Sequence, residues 1–365
     1  RGGYSYLTGP AVPGKEKQEA APVPGGSTPS LPWTVRVGSV VLDDNRAEYG
    51  LLNHRPAAGF DPSFIVLSTL DLAVDSIYNR GADIALQIRR MAFTERSGLT
   101  VSDMTGDIGM DASGISLAGV TLKTPFSRIE ANISAGEGIL ALAPDSPLKA
   151  DLMADVNTKD LKYLYPALIP PVLDGRIVSL ALTAAGTLGD IGKAGLDISS
   201  PGHVAFTADG AARNVLDPGR MEASARFEGD FRDMAFLEAL LPDSALRRRI
   251  AIPDRIRLRG TAGADKGAFS AASTLSTDGG EIALQGRLDT RSEAYGIELR
   301  CDSFPLNSFL PADSLGLLDL ALQAGGSGFD PLRAQTRGNI RLQVDRAEFR
   351  GRDFGGVKLN ANLEG

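Results

Sequence analysis

Histidine and cysteine, the side chains most often used to pass protons or attack carbonyl carbons, occur three times in this 365-residue chain, as His54, His203 and Cys301. A catalytic thiol needs a histidine base beside it, and both histidines lie far from Cys301 in sequence. His54 sits in the turn-rich run Leu52-Asn53-His54-Arg55-Pro56 and His203 in Pro201-Gly202-His203-Val204, neither with a His or Cys partner at metal-ligand spacing. They read as surface histidines, and Cys301 as a half-buried structural cysteine at a strand end. Asp43-Asp44-Asn45 offers carboxylates to calcium but lacks the alternating loop ligands and the later bidentate glutamate. It reads as a hairpin turn leading into a second strand, Ala47-Glu48-Tyr49. Gly186-Thr187-Leu188-Gly189-Asp190-Ile191-Gly192-Lys193 superficially resembles a phosphate loop. Its lysine comes too early, no Ser or Thr follows it, and no helix start is expected. A turn between two strands explains it. With no Gly-x-Ser-x-Gly elbow in a strand-to-helix setting, no catalytic constellation emerges and no cofactor or metal site is expected.

Composition points the same way. The formal net charge is −7, and no basic stripe exists to neutralise phosphates, so nucleic acid is excluded as a partner. Arg247-Arg248-Arg249 is too short to change that and reads as a solvated loop or helix end. At 43% hydrophobic and 23% charged, the chain is neither disordered nor a membrane span. Aromatic residues make up only 6% while glycine occurs 42 times, which suits a sheet protein with many turns and smooth aliphatic faces. No uninterrupted apolar stretch approaches the roughly 18–20 residues that cross a bilayer, and no signal peptide is visible. The chain opens at Arg1 and stops just after the strand-like run 357–363, so it reads as a piece of a longer protein.

The elements follow from periodicity. Residues 1–32 form a flexible Pro/Gly-rich linker with too little apolar content to pack. From Trp33 the pattern becomes period two: Trp33, Val35 and Val37 alternate with Thr34 and Arg36, and alternation continues through Ile65, Leu67, Leu72 and Val74. Ile84, Leu86 and Ile88, then Leu99-Val101, Ile108-Met110, Ile115-Leu117, Val120-Leu122 and Ile129-Ile133 follow, usually about ten residues apart, as in an antiparallel sheet. Residues 33–144 thus form an N-terminal β-sheet segment.

Residues 145–365 read as stacked β repeats, at about 145–231, 232–303 and 304–365. Each copy opens with a short apolar stretch ending at proline: Asp160-Leu161 to Pro166, Asp233-Met234 to Pro242, and Leu306-Asn307 to Pro311. In the first, Leu161, Leu164 and Leu168 have helical spacing behind Asp160 as N-cap, and the prolines limit the helix to about two turns. Long alternating strands follow each one. A unit that cannot bury its apolar face alone must stack on its neighbours, giving an elongated array. Such a one-sided sheet either closes on a second sheet or curls over something else.

An ordered series in the N-terminal half carries a resemblance. It runs Trp33-Thr34-Val35-Arg36-Val37, Asp44 to Tyr49, Gly59-Phe60-Asp61-Pro62, Arg96-Ser97-Gly98-Leu99, and Leu122-Lys123-Thr124-Pro125-Phe126-Ser127. The series resembles TamB-like translocation and assembly proteins of Bacteroidetes type, within the wider AsmA-like group; after about Asp145 only the repeat pattern matches. The resemblance implies an all-β fold with a few short helices, in which antiparallel strands curl into an open, apolar, taco-shaped groove. It also implies a periplasmic protein, anchored in the inner membrane by an N-terminal helix outside this sequence, that carries phospholipid towards the outer membrane. A C-terminal segment, also outside this sequence, would meet an outer-membrane barrel of the BamA/TamA kind in protein assembly and secretion.

Acyl chains need a continuous sheltered apolar surface, and each buried methylene contributes roughly 0.8 kcal/mol. Inward candidates are Leu180, Leu182, Ile256, Leu258, Ile282, Leu284, Leu320, Leu322, Ile340 and Leu342. The bland alternative for all ten is core packing between two sheets. A rival function is a structural or adhesive array that binds partner proteins by strand addition. A polysaccharide-active β-solenoid is weaker, because Trp33 is the only tryptophan.

Overall fold

The computed structural model describes residues 33–51, 54–137, 143–166, 169–241, 244–328, 330 and 335–364. Alternation becomes strand almost throughout. The N-terminal strands are β1 (Thr34–Gly50), β2 (Phe64–Arg80), β3 (Asp83–Glu95), β4 (Thr100–Asp111), β5 (Gly114–Lys123), β6 (Arg128–Gly136) and β7 (Pro147–Asn157). Next come β8 (Ile177–Thr187), β9 (Asp190–Ser200), β10 (Val204–Arg213), β11 (Glu222–Arg232), β12 (Arg255–Asp265) and β13 (Ala268–Ser276). The last are β14 (Glu281–Asp289), β15 (Ala294–Pro305), β16 (Leu315–Ser327), β17 (Arg337–Phe349), β18 (Arg352–Phe354) and β19 (Val357–Glu364).

Every strand up to β17 pairs antiparallel with its neighbour in sequence, and β18 and β19 lie end to end on the far edge of β17. Among the described residues no pairing joins β1 to β19, so this single sheet is an open curled groove with two free edges. At about 4.8 Å per strand the sheet extends about 80 Å across its strands.

Short helical segments interrupt the meander every four strands, always at the same end of the strands. Between β7 and β8 lie α1 (Thr158–Leu164) and a 3-10 turn, Pro171–Leu173. Between β11 and β12 lie a 3-10 helix, Met234–Leu240, and α2 (Ser244–Arg249). Between β15 and β16 lie two 3-10 turns, Leu306–Ser308 and Pro311–Asp313. One rim of the sheet therefore carries three helical caps, and the other carries hairpin turns, including Leu188-Gly189 where the phosphate-loop lookalike falls.

Three local expectations are corrected. Asp43-Asp44-Asn45 is not a hairpin turn but a bulge inside β1: Asp44 adopts φ 49° and donates its N–H to the Asp71 carboxylate at 3.1 Å. Aspartate tolerates this left-handed conformation, and β2 is long enough to keep pairing on both sides. The N-cap of α1 is Asn157 rather than Asp160; Asn157 leaves the strand with extended backbone and accepts from the Lys159 N–H at 3.0 Å. Asp160 sits in the first turn, buried, where it binds elsewhere. Cys301 lies inside β15 and is fully buried at 4% exposure, and that burial pushes its thiol pKa up. An inert thiol fits the structural reading.

Register shifts crowd the first five strands, whereas the ladders from β10 to β15 run without one. At the β4 bulge, Gly106 has φ 149°, and a Cβ there would lie 2.8 Å from the Cα of Val120. Bulges bend and twist a sheet. Burial of large apolar side chains follows the bend: Leu70, Val74, Ile88 and Val101 are buried in β2–β4, with Ala131 and Ala154 in β6 and β7, whereas in the described remainder the buried apolar side chains, Cys301, Phe304 and Pro305, all lie at one end of β15. A sandwich would bury its inner rows along every strand; this sheet does not, so it is one layer.

Candidate functional site

The backbone register shows which side chains share a face, because directly opposed residues of an antiparallel pair point the same way. From Leu180 the pairing steps to Ile198, Phe206, Gly229, Leu258, Leu275, Ile282, Cys301, Leu320 and Val344. From Leu182 it steps to Leu196, Ala208, Phe227, Gly260, Ser273, Leu284, Leu299, Leu322 and Leu342. Ile256 and Ile340 lie two residues from Leu258 and Leu342, on the same face. All ten candidates named from sequence therefore fall on one side of one sheet.

That side has a relief that the sequence reading missed. One step towards the hairpin rim lies a third row: Ala184, Ala194, Gly210, Ala225, Ala262, Ala271 and Gly286, continued by Ile297, Ala324 and Ile340. From β8 to β14 these small side chains leave a trough beside the two leucine-rich rows, and Ile297 closes its far end. A Cβ added at Gly286 would meet nothing within 4 Å. The signal was present in the sequence as alanine and glycine at period two, but a search for large apolar residues passes over it.

No described layer covers the trough. Leu284 is 42% exposed, Ile297 46% and Ile340 45%. Three rows about 7 Å apart across the ten strands β8–β17, about 43 Å, give an apolar strip of roughly 600 Å², as large as the largest apolar patch of an ordinary monomer, and such patches are often functional. The opposite face is charged: Arg259 opposes Glu228, and Arg257 opposes Asp230. Arg232 and Arg255 both bind the Asp230 carboxylate, at 2.8 and 2.6 Å, and together hold its pKa well below the usual carboxylate range.

The helical rim is tied together by polar contacts. In the loop before β2, Asp61 accepts from the Ala57 N–H at 2.9 Å, His54 Nε2 at 2.7 Å and the Ser63 N–H at 2.9 Å. Those bonds, the Ala57 amide first, bring its pKa down to about 2. Arg96 donates to the Ala57 and Gly59 carbonyls, the Phe60 N–H donates to the Leu164 carbonyl, and Thr124 and Ser127 both donate to Asp160. Pieces of the N-terminal series thus converge on α1. Farther along, Arg176 lies 3.5 Å over the Phe236 ring, whose edge meets the half-buried His203. Arg249 pairs with Asp313, and the Ala251 N–H donates to the Phe309 carbonyl. Successive caps form one continuous rail.

His54 and Asp61 are the one His–carboxylate pair brought together among the described residues, and the backbone amides on Asp61 make it a loop anchor. No group of three or more His, Cys, Asp or Glu among the described residues is placed to hold a metal ion. None of the described helices is long and apolar enough to cross a membrane. No protein-family model, curated protein or solved structure matches the chain.

Proposed function

We propose that this chain is part of a periplasmic β-groove of the TamB-like, AsmA-like kind, which conducts phospholipid between inner and outer membranes and serves outer-membrane biogenesis. The observation that carries the reading is the uncovered apolar face that includes Leu284 and Leu322. An acyl chain laid along it exchanges water for leucine and alanine, worth roughly 0.8 kcal/mol per methylene, without asking for any specific polar contact. On this reading the protein performs no catalysis. On the same reading an inner-membrane anchor and an outer-membrane barrel of the BamA/TamA kind stand at the two ends of the path.

The test is a photo-crosslinking amino acid placed at Leu284, at Leu322 and, as control, at Gln285 on the charged face, in living cells. The reading expects phospholipid adducts from the two leucine positions and none from Gln285. Equal labelling of all three, or no lipid adduct from either leucine position in folded protein, sinks it.

A second reading, an adhesive or structural array that binds proteins by strand addition, draws on the free edge of β19. Its residues pair with β17 without a register shift, and Val357, Leu359 and Leu363 are 52%, 50% and 48% exposed. An unblunted edge accepts another strand. Protein adducts from Lys358 together with an absence of lipid adducts favour this second reading.

A further inference from the structure

The three caps on the helical rim treat their aromatic residues in opposite ways. In the second, Phe236 lies under Arg176 and against His203; in the third, Phe309 stacks on the buried Phe304 at 5.2 Å. In the first cap the aromatics face outward: Phe126 is 45% exposed, Tyr163 40% and Tyr165 55%. Lys159 extends over Phe126 with its ammonium 5.0 Å from the ring centre.

Charge is sorted there as well. The carboxylates of Asp61, Glu95 and Asp160 are buried beneath the surface, at 5%, 3% and 5% exposure. Arg55, Arg96, Lys159 and Lys162 remain exposed, and among the described residues only Lys162 of these has an ion-pair partner, Asp174. In a chain of net charge −7, the outer surface of this cap is cationic and aromatic.

We propose that the first cap is a contact site for anionic phospholipid headgroups at a bilayer surface. Tyrosine and phenylalanine flanked by lysine and arginine are the chemistry of the membrane–water interface, where rings enter the headgroup zone and cations meet lipid phosphates. A protein partner fits less well. The patch offers about seven residues, whereas a standard protein interface uses roughly 20–30 a side. The site adds a point of bilayer contact to the groove reading and is measured separately from it.

The experiment is co-sedimentation of the whole chain with vesicles of phosphatidylcholine alone or mixed with phosphatidylglycerol. Wild-type protein is expected to sediment with the anionic vesicles and to be released by high salt. Phe126→Ser with Tyr165→Ser, and separately Lys159→Glu, are expected to weaken this binding roughly tenfold or more, while phospholipid crosslinks from Leu284 persist. Lys159→Glu leaves the aromatics in place, so it serves where the double variant fails to fold. Folded wild-type protein that ignores anionic vesicles overturns the proposal, even where Leu284 still crosslinks lipid and the groove reading stands. Undiminished binding by the folded variants, or equal binding to neutral vesicles, overturns it too.

Discussion

Phe227 lies directly across the β11–β12 ladder from Gly260 and covers it: a Cβ at Gly260 would stand 2.6 Å from the ring's Cζ and 2.5 Å from the Ala272 carbonyl oxygen. One strand pair earlier Phe206 opposes Gly229, which is covered by two rings: a Cβ there would stand 2.6 Å from Phe231 and 3.2 Å from Phe206. An aromatic ring laid over a strand glycine restores the packing that the glycine lacks.

Gly260→Val is therefore expected to lower stability by about 1–3 kcal/mol, the cost of overpacking. Gly286→Ala, two strands away in open space, is expected to be neutral or to stabilise by about 0.5–1 kcal/mol. Chemical denaturation of both variants checks the pair; equal losses at the two positions would show that the trough is filled.

A carboxylate separates uncovered from buried apolar positions on the same face. Leu284→Asp, at a side chain 42% exposed, is expected to cost about 1 kcal/mol and leave a folded protein. Cys301→Asp, at 4% exposure, buries an unpaired charge and is expected to cost about 4 kcal/mol or more. Thermal melts decide it, and collapse of the Leu284 variant would reveal a covering layer.

Asp61 gives a pH dependence with a definite sign. Its pKa is lowered from 3.8 to about 2, so the folded state favours the carboxylate. Its contribution is fully present above the ordinary value and is lost as pH falls from about 4 towards about 2. Wild-type protein should exceed Asp61→Asn in melting temperature at neutral pH, and the gap should shrink across that window. A constant gap would mean that the loop bonds do not depend on the charge.

Small-angle scattering tests the overall form. A compact chain of this length has a radius of gyration of about 21 Å, whereas a sheet about 80 Å across its strands should exceed about 25 Å. A value at the compact figure would require the sheet to fold back on itself.

The apolar face was legible because alternation at Leu180-Leu182, Leu258 or Leu320-Leu322 depends only on residue type, and antiparallel neighbours inherit the same parity. Bulges were not. The runs around Val101 and Ile108 looked like separate strands, yet Val101 and Ile108-Met110 both belong to β4, since one glycine at position 106 bends the strand without ending it. The rim was invisible for another reason. Arg176 meets Phe236 across sixty residues of chain, and Asp160 meets Thr124 across thirty-six, so no local pattern announces either contact. Asp160 also shows why its capping role was misread: an aspartate near a helix start satisfies the sequence rule whether it bonds the helix or another turn.

The interval of four strands between caps has an evolutionary consequence. Four is even, so duplicating or deleting one such module returns the chain to the same rim, running in the same direction, with its apolar parity intact. Up to β17 each strand bonds only to its sequence neighbours, so no pairing between distant strands has to be rebuilt. The reach of the molecule can then change in steps of about 19 Å, as a ruler graduated in modules.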